Sequence, residues 1–338
     1  MSAAKRAKLD DDGDCHFYPV LPDELIEDIP LEEVYYTTVA NPKDISKAIT
    51  ELNAVYPLPE LMHLKKMRGK EILLLPCAVA DEDQVLKVLK SKGFNVALLE
   101  DNIRRTMVAK IAPKVRKQYE VVNKLWPCNF HSNKYLEKLS TNTMFNEREM
   151  QQHRSFMKVA VDVAKMSSSL AGVVVVDPKL NSLVAVGYSQ TSTGPYKHAV
   201  MVAVDNVAKT QNGGLWQNPR HKTNGPLDLR GIPDNLLNRL QEKHPNISFG
   251  ATKYKSKCEV EVPADGPYLC TGYYLYSTCE PCVMCAMALI HSRIKRVIYG
   301  SQSTNGGLGT LCKIHTVKDL NHHYEVFAGL LERECQSL

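Results

Sequence analysis

Apolar positions along this chain change their period several times, and each change marks an element. Val34-Tyr-Tyr-Thr-Thr-Val39 is β-branched and aromatic, the composition of a strand. Asn41-Pro42 then opens a stretch in which Ile45, Ala48, Ile49 and Leu52 recur at helical spacing. A strand is expected around Leu61 to Met67, with Gly69 breaking it, and a compact apolar strand over Glu71-Ile-Leu-Leu-Leu75. Asp81 stands where it can cap a second helix with Val85, Leu86, Val88 and Leu89 inward. Gly93 ends that helix, and Asn95-Val-Ala-Leu-Leu99 reads as the last strand. The order β-α-β-β-α-β over residues 30–103 predicts a ferredoxin-like α/β sandwich. That fold hosts many functions and assigns none. Residues 104–145 read as a basic helical connector, with Trp126-Pro127 ending one piece of it and the polar run Ser140-Thr-Asn-Thr143 leading into the next domain.

From about residue 146 a second pattern starts. Glu147 to Ser168 is helical, with Phe156, Val159, Val163 and Met166 on one face. Ala171-Gly-Val-Val-Val-Val176 reads as a buried strand, Asp177-Pro178 and Asn181 as a turn, and Leu183-Val-Ala-Val-Gly-Tyr188 as the returning hairpin partner. His198 to Lys209 is helical. A strand is expected over Tyr268 to Tyr276, a helix from Pro281 to His291 and a strand over Arg296 to Tyr299. Residues 146–338 therefore predict a three-layer α/β/α domain. An insertion of about 210–267, rich in Gly and Pro, interrupts it, with a short helical piece near Asn235 to Glu242.

With 338 residues the chain is long enough for two domains. It shows no apolar run able to span a bilayer and no secretory h-region, so an intracellular protein with no membrane partner is expected. Its ten cysteines then read as thiols or metal ligands rather than as a disulfide framework. Residues 1–29 read as a flexible tail. Within it, Lys5-Arg6-Ala-Lys8-Leu, followed by the acidic run Asp10 to Asp14, resembles a short nuclear-localisation signal, giving an expected residence in nucleus and cytoplasm. Net charge is only +5, but its distribution is uneven. Lys65, Lys66, Arg68 and Lys70 form one basic cluster; Arg104, Arg105, Lys110, Lys114, Arg116 and Lys117 form a second that contains no acid. Each reads equally as a solvated basic face or as a phosphate contact.

The candidate chemistry lies in the second domain. Pro281-Cys282-Val-Met-Cys285 places two thiols three residues apart at an expected helix start, where the helix dipole favours thiolates. A lone C-x-x-C is also the spacing of a redox pair. His198, opening another helix, supplies an imidazole, and two sulfurs with one nitrogen suit Zn²⁺ with a fourth position open. His198-Ala-Val200 together with Pro281-Cys-Val-Met-Cys285 departs from the H-x-E and P-C-x-x-C signature of the zinc nucleobase deaminases at one residue, Val200 in place of Glu.

The stretch from Cys279 to Ile294 closely resembles the tRNA adenosine deaminases of the cytidine/deoxycytidylate deaminase superfamily. The His-Ala-Val variant behind a long N-terminal domain is similar to the non-catalytic, pseudo-deaminase subunits of the eukaryotic heterodimeric tRNA wobble adenosine-34 deaminases. The resemblance implies that His198, Cys282 and Cys285 hold zinc. It also implies that Val200 occupies the position of the general acid/base, and valine can move no proton. The implied partners are a catalytic homologue carrying His-Ala-Glu and a tRNA, gripped by the N-terminal domain and the basic connector. Two other readings stand beside it: an autonomous deaminase whose shuttle is Glu280, next to the ligands, and an RNA scaffold that has lost its metal. Cys279 and the remaining cysteines, His291, His315, His322 and His323 have no ligand spacing.

Overall fold

The structure is a computed structural model describing residues 17–216, 227–252 and 268–338. The basic motif at Lys5 to Lys8, Cys15, Cys258 and much of the insertion lie outside them. The chain divides into two units: Asp23–Met144, and the segment ending at Pro22 together with Phe145–Leu338. The C-terminal unit therefore begins before the N-terminal one. Its first strand, β1 (Tyr18–Pro19), precedes the whole of Asp23–Met144 in sequence.

The N-terminal unit contains α1 (Asp23–Ile26), β2 (Leu31–Thr38), α2 (Ile45–Val55), β3 (Met67–Arg68), β4 (Glu71–Pro76), α3 (Val85–Ser91), β5 (Arg104–Ala109), α4 (Arg116–Leu125) and α5 (Lys134–Ser140). Its four strands pair antiparallel in the order β3-β4-β2-β5. Consecutive residues of β2 point to opposite faces and both are buried: Tyr35 packs with Leu74, Val85 and Leu89, while Val34 packs with Leu73, Val108, Val122 and Trp126. The sheet thus has a core on each face, and the second core is closed by the Trp126 end of α4.

That second core corrects the expected boundaries. Arg104–Ala109 is an edge strand rather than the start of a helical connector, because Val108 alternates inward opposite Glu32 while Arg105 lies over the Tyr35 ring. Asn95–Leu99 is not a strand: the Asn95 side chain accepts from the Ala97 amide at 3.2 Å and starts a tight 3-10 turn. Likewise Pro59 opens a 3-10 turn at Pro59–Leu61, so the strand expected over 61–67 shrinks to Met67–Arg68.

The C-terminal unit continues with α6 (Glu147–Met166), β6 (Gly172–Asp177), β7 (Ser182–Tyr188), α7 (Ala199–Thr210), β8 (Leu227–Asp228), α8 (Asp234–Lys243), β9 (Ser248–Phe249), β10 (Ala251–Thr252), β11 (Tyr274–Cys279), α9 (Val283–His291), β12 (Arg296–Ser301), β13 (Glu325–Ala328) and α10 (Glu332–Gln336). A mixed sheet runs in the order β1-β13-β12-β11-β6-β7-β9, and β8 pairs only with β10. Val173 and Val175 face α7 and α9, whereas Tyr276 faces α6 through Phe156 and His153. Helices on both faces explain why β6 and β12 are buried throughout and read as unbroken apolar runs.

The expected flexible tail 1–29 is corrected from Phe17 onward. Tyr18 and Pro19 pair with Ala328 and Phe327, the Val20 amide donates to the Val326 carbonyl at 2.8 Å, and the Phe17 ring stacks on Phe327. This strap covers the edge that β13 would otherwise expose. Ile29 in turn lies in the second core of the N-terminal unit.

Candidate metal centre

Two helix starts and one strand end build the site. The hairpin β6-β7 carries Gly187, where a Cβ would lie 2.2 Å from the Ala199 carbonyl. Only glycine lets the first turn of α7 approach β7 this closely. That approach places His198, the N-cap of α7, beside the crossover from β11 to α9. Cys282 is the N-cap of α9 and Cys285 lies in its first turn. The ligand residues therefore sit at the carboxyl end of β11, where parallel strands of α/β sheets present their binding groups.

The three side chains converge. His198 Nδ1 is 3.4 Å from Cys282 Sγ and 3.7 Å from Cys285 Sγ, and all three ligand atoms lie within 4.8 Å of one another. Tetrahedral zinc, with Zn–N of about 2.0–2.1 Å and Zn–S of about 2.3 Å, would set such atoms about 3.6 Å apart, so the cradle fits that ion. Burial pushes the Cys285 thiol up, and the neighbouring Cys282 adds to it. A cation held between the sulfurs would favour their thiolate forms. Of the described residues, no other group of three His, Cys, Asp or Glu side chains meets in this way.

Val200 is 3% exposed and belongs to the core cluster that includes Ala199, Cys285 and Leu308. Its position at the start of α7 offers the metal cradle an isopropyl group and no proton acceptor.

Glu280 has another role than the shuttle considered above. It is 2% exposed, and its carboxylate accepts from the amides of Ser303 at 3.3 Å, Leu308 at 2.9 Å and Thr310 at 3.0 Å, and from the Thr310 hydroxyl. A Cβ at Gly306 would fall 2.0 Å from that carboxyl carbon. The Gly307 amide also donates to the Pro281 carbonyl, and Cys282 and Gly306 form a β-bridge. Glu280 thus ties the loop 303–310 to the ligand turn, and its oxygens are taken by that loop. Sequence order alone placed Glu280 near the metal; its partners lie more than twenty residues downstream and gave no signal.

Two of the unassigned histidines serve the fold, while His291 is exposed. The Val20 carbonyl can only accept, so His315 Nε2 carries the proton in their 2.9 Å bond, and Nδ1 is a buried atom with no partner. Burial lowers the His315 pKa to about 4. His322 Nε2 bonds the Ile294 carbonyl at 2.6 Å.

The ten basic residues of the N-terminal unit divide into two sets. Arg68 lies over the Trp126 ring at 4.5 Å, pairs with Glu71 at 2.8 Å and donates to the Leu125 carbonyl. Arg104 pairs with the same Glu71 at 3.2 Å over the Tyr36 ring. Arg105 pairs with Glu82 and Glu33, and Lys114 with Glu24. Lys66 Nζ is buried, and burial lowers its pKa. Lys65, Lys70, Lys110, Arg116 and Lys117 are exposed, and the described residues show no ion pair to their side chains.

Comparison with known proteins follows the same geometry. The family profile of the cytidine and deoxycytidylate deaminase zinc-binding region matches residues 150–301. A zebrafish (Danio rerio) protein named "Probable inactive tRNA-specific adenosine deaminase-like protein 3" is 34% identical over 99% of this chain and 98% of its own length. The chain belongs to that family. The Homo sapiens member of the same name is 33% identical over 95% of this chain and 91% of its own length. The Arabidopsis thaliana "tRNA-specific adenosine deaminase TAD3" is 26% identical over 88% and 90%. The Danio rerio and Homo sapiens relatives are named probable inactive, and in this chain the residue two after His198 in the cradle is the buried Val200. Among the described residues no helix is long and apolar enough to cross a membrane.

Proposed function

We propose that this chain is the non-catalytic subunit of a heterodimeric tRNA adenosine deaminase. Its partner is a catalytic homologue carrying His-Ala-Glu, and the pair converts adenosine-34 to inosine at the wobble position. The observation that carries the reading is Val200, packed at the mouth of α7 beside three converging ligand atoms. A decayed enzyme has no reason to keep the ligands, whereas a subunit that needs the fold does, since metal binding is also folding free energy. When bound, zinc supplies Lewis acidity and a lowered water pKa. His198, Cys282 and Cys285 hold it, Glu280 fixes the loop against their turn, and no residue of the cradle relays a proton.

The N-terminal unit we read as ferredoxin-like: two β-α-β halves give the antiparallel order β3-β4-β2-β5. It serves tRNA binding through exposed Lys65, Lys70, Lys110, Arg116 and Lys117, and ion-paired Arg68, Arg104, Arg105 and Lys114, with buried Lys66, support that surface. The motif Lys5-Arg6-Ala-Lys8-Leu supports residence in the nucleus as well as the cytoplasm.

Reconstitution tests the reading. The chain alone and the homologue alone should each leave an adenosine-34 tRNA unmodified, and the two together should form inosine. Elemental analysis should find about one zinc per chain, lost on His198→Ala. Full activity from either protein by itself would overturn the proposal.

A further inference from the structure

The insertion begins immediately after α7, and its first described residues fold back onto the segment leading into His198. Leu215 and Trp216 hang on one side chain: Asp205 Oδ1 accepts from the Leu215 amide at 2.6 Å and the Trp216 amide at 3.3 Å. Asp205 is itself 8% exposed and paired with Lys209 at 2.8 Å, so the anchor is firm. The anchored Trp216 ring stacks on Tyr196, with centroids 5.8 Å apart and planes 27° from parallel. Lys197 Nζ lies 5.3 Å from the Trp216 centroid. Tyr196 is 50% exposed and Leu215 81% exposed.

We infer that Tyr196, Lys197 and Trp216 form a stacking shelf for an unpaired nucleobase of the RNA substrate. This inference rests on the tRNA reading above. Tyr196 stands half in water against the partly buried Trp216, and exposed aromatic area of this kind marks a binding site. The occupant follows from the chemistry. The exposed Tyr196 ring offers a planar π face, and Lys197, whose Nζ lies over the neighbouring Trp216 ring, brings a cation close by; together they suit a base and the phosphate attached to it. The bordering residues Thr191, Ser192 and Thr193 are exposed and carry hydroxyls that can hydrogen-bond phosphate and sugar oxygens. The place is apt as well, since Tyr196 and Lys197 directly precede the ligand His198.

The chain's own fluorescence provides the test. It has two tryptophans, and Trp126 is 1% exposed, so RNA-dependent quenching reports on Trp216. Full-length chain is titrated with an anticodon-arm RNA hairpin and with a fully paired duplex of the same composition. The hairpin should quench and the duplex should not. Trp216→Ala should weaken hairpin binding on the order of tenfold, and Trp216→Phe should restore most of it, with unchanged melting temperatures. Tyr196→Ala, which leaves the Asp205 anchor untouched, should weaken binding likewise. Wild-type binding without quenching, and unweakened in both alanine variants, overturns the shelf while leaving the tRNA reading intact. Variants that bind RNA normally but lose the catalytic homologue assign the shelf to a protein and overturn it too. Failure of the wild-type chain, alone and with the homologue, to bind either RNA overturns both.

Discussion

At the scale of single residues, Val200 is silent structurally, and on the reading proposed above it is decisive chemically. Val200 fits its surroundings because isopropyl is at home among Ala199, Cys285 and Leu308. Glu280 is the opposite case, a carboxylate whose work is structural. Four donors from one loop converge on it, and removing the acceptor leaves buried amides unpaired. Glu280→Ala should therefore destabilise the C-terminal unit by roughly 3–5 kcal/mol, with Glu280→Gln costing less because one carbonyl oxygen still accepts. Chemical denaturation of the full chain checks this, and unchanged stability would refute the anchor. The converging trio and Val200 were legible in the sequence because each half, His198-Ala-Val200 and Cys282 to Cys285, is a short local run at a helix start; that the two halves meet across more than eighty residues was not. The role of Glu280 was not, since it depends on a loop whose approach is set by Gly306 and Gly307.

At the scale of elements, reading failed where long-range pairing overrides local pattern. The strap β1 has no apolar period of its own; it exists because β13 needs an edge partner and Phe17 an aromatic bed. β5 was hidden by its charges, since Arg104 and Arg105 read as a solvated helix face until Tyr35 and Tyr36 are set beneath them. The valine strands and amphipathic α6 were legible because their period and burial agree. Two of these elements also carry a pH dependence. His153 on α6 meets the Tyr276 hydroxyl at 2.7 Å, and burial, then the nearby Arg296 charge, lowers its pKa to about 4. His315, under the strap, is lowered to about 4 chiefly by burial. Both are depressed below an unfolded value of about 6.5. The unfolded chain therefore binds more protons between those limits, so stability is fully present above pH of about 6.5 and falls as pH drops toward 4. The expected loss is on the order of 2–3 kcal/mol per histidine, and His153→Gln should remove about half of the slope in denaturation midpoints between pH 7 and 4. A slope unchanged by that substitution would remove His153 from the account.

At the scale of the whole molecule, charge distinguishes residues that hold the N-terminal unit together from residues free to meet RNA. Arg68 and Arg104 share Glu71 over the Tyr36 and Trp126 rings, so neutralising them damages the fold before it tests any contact. Lys65, Lys70, Lys110, Arg116 and Lys117 are exposed, and changing them leaves both cores of the unit intact. If they contact phosphates, each neutralised contact should reduce the slope of log affinity against log salt by about 0.7–0.9, the counterions released per phosphate. A Lys110→Gln, Arg116→Gln, Lys117→Gln variant of the reconstituted complex should then lose up to about two to three units of slope and bind tRNA more weakly at low salt, with its melting temperature unchanged. Because counterion release does not depend on sequence, the loss should be the same for every tRNA tried. A slope equal to wild type would place the RNA on another surface, and a lowered melting temperature without a change in slope would assign these residues to holding the fold rather than to RNA.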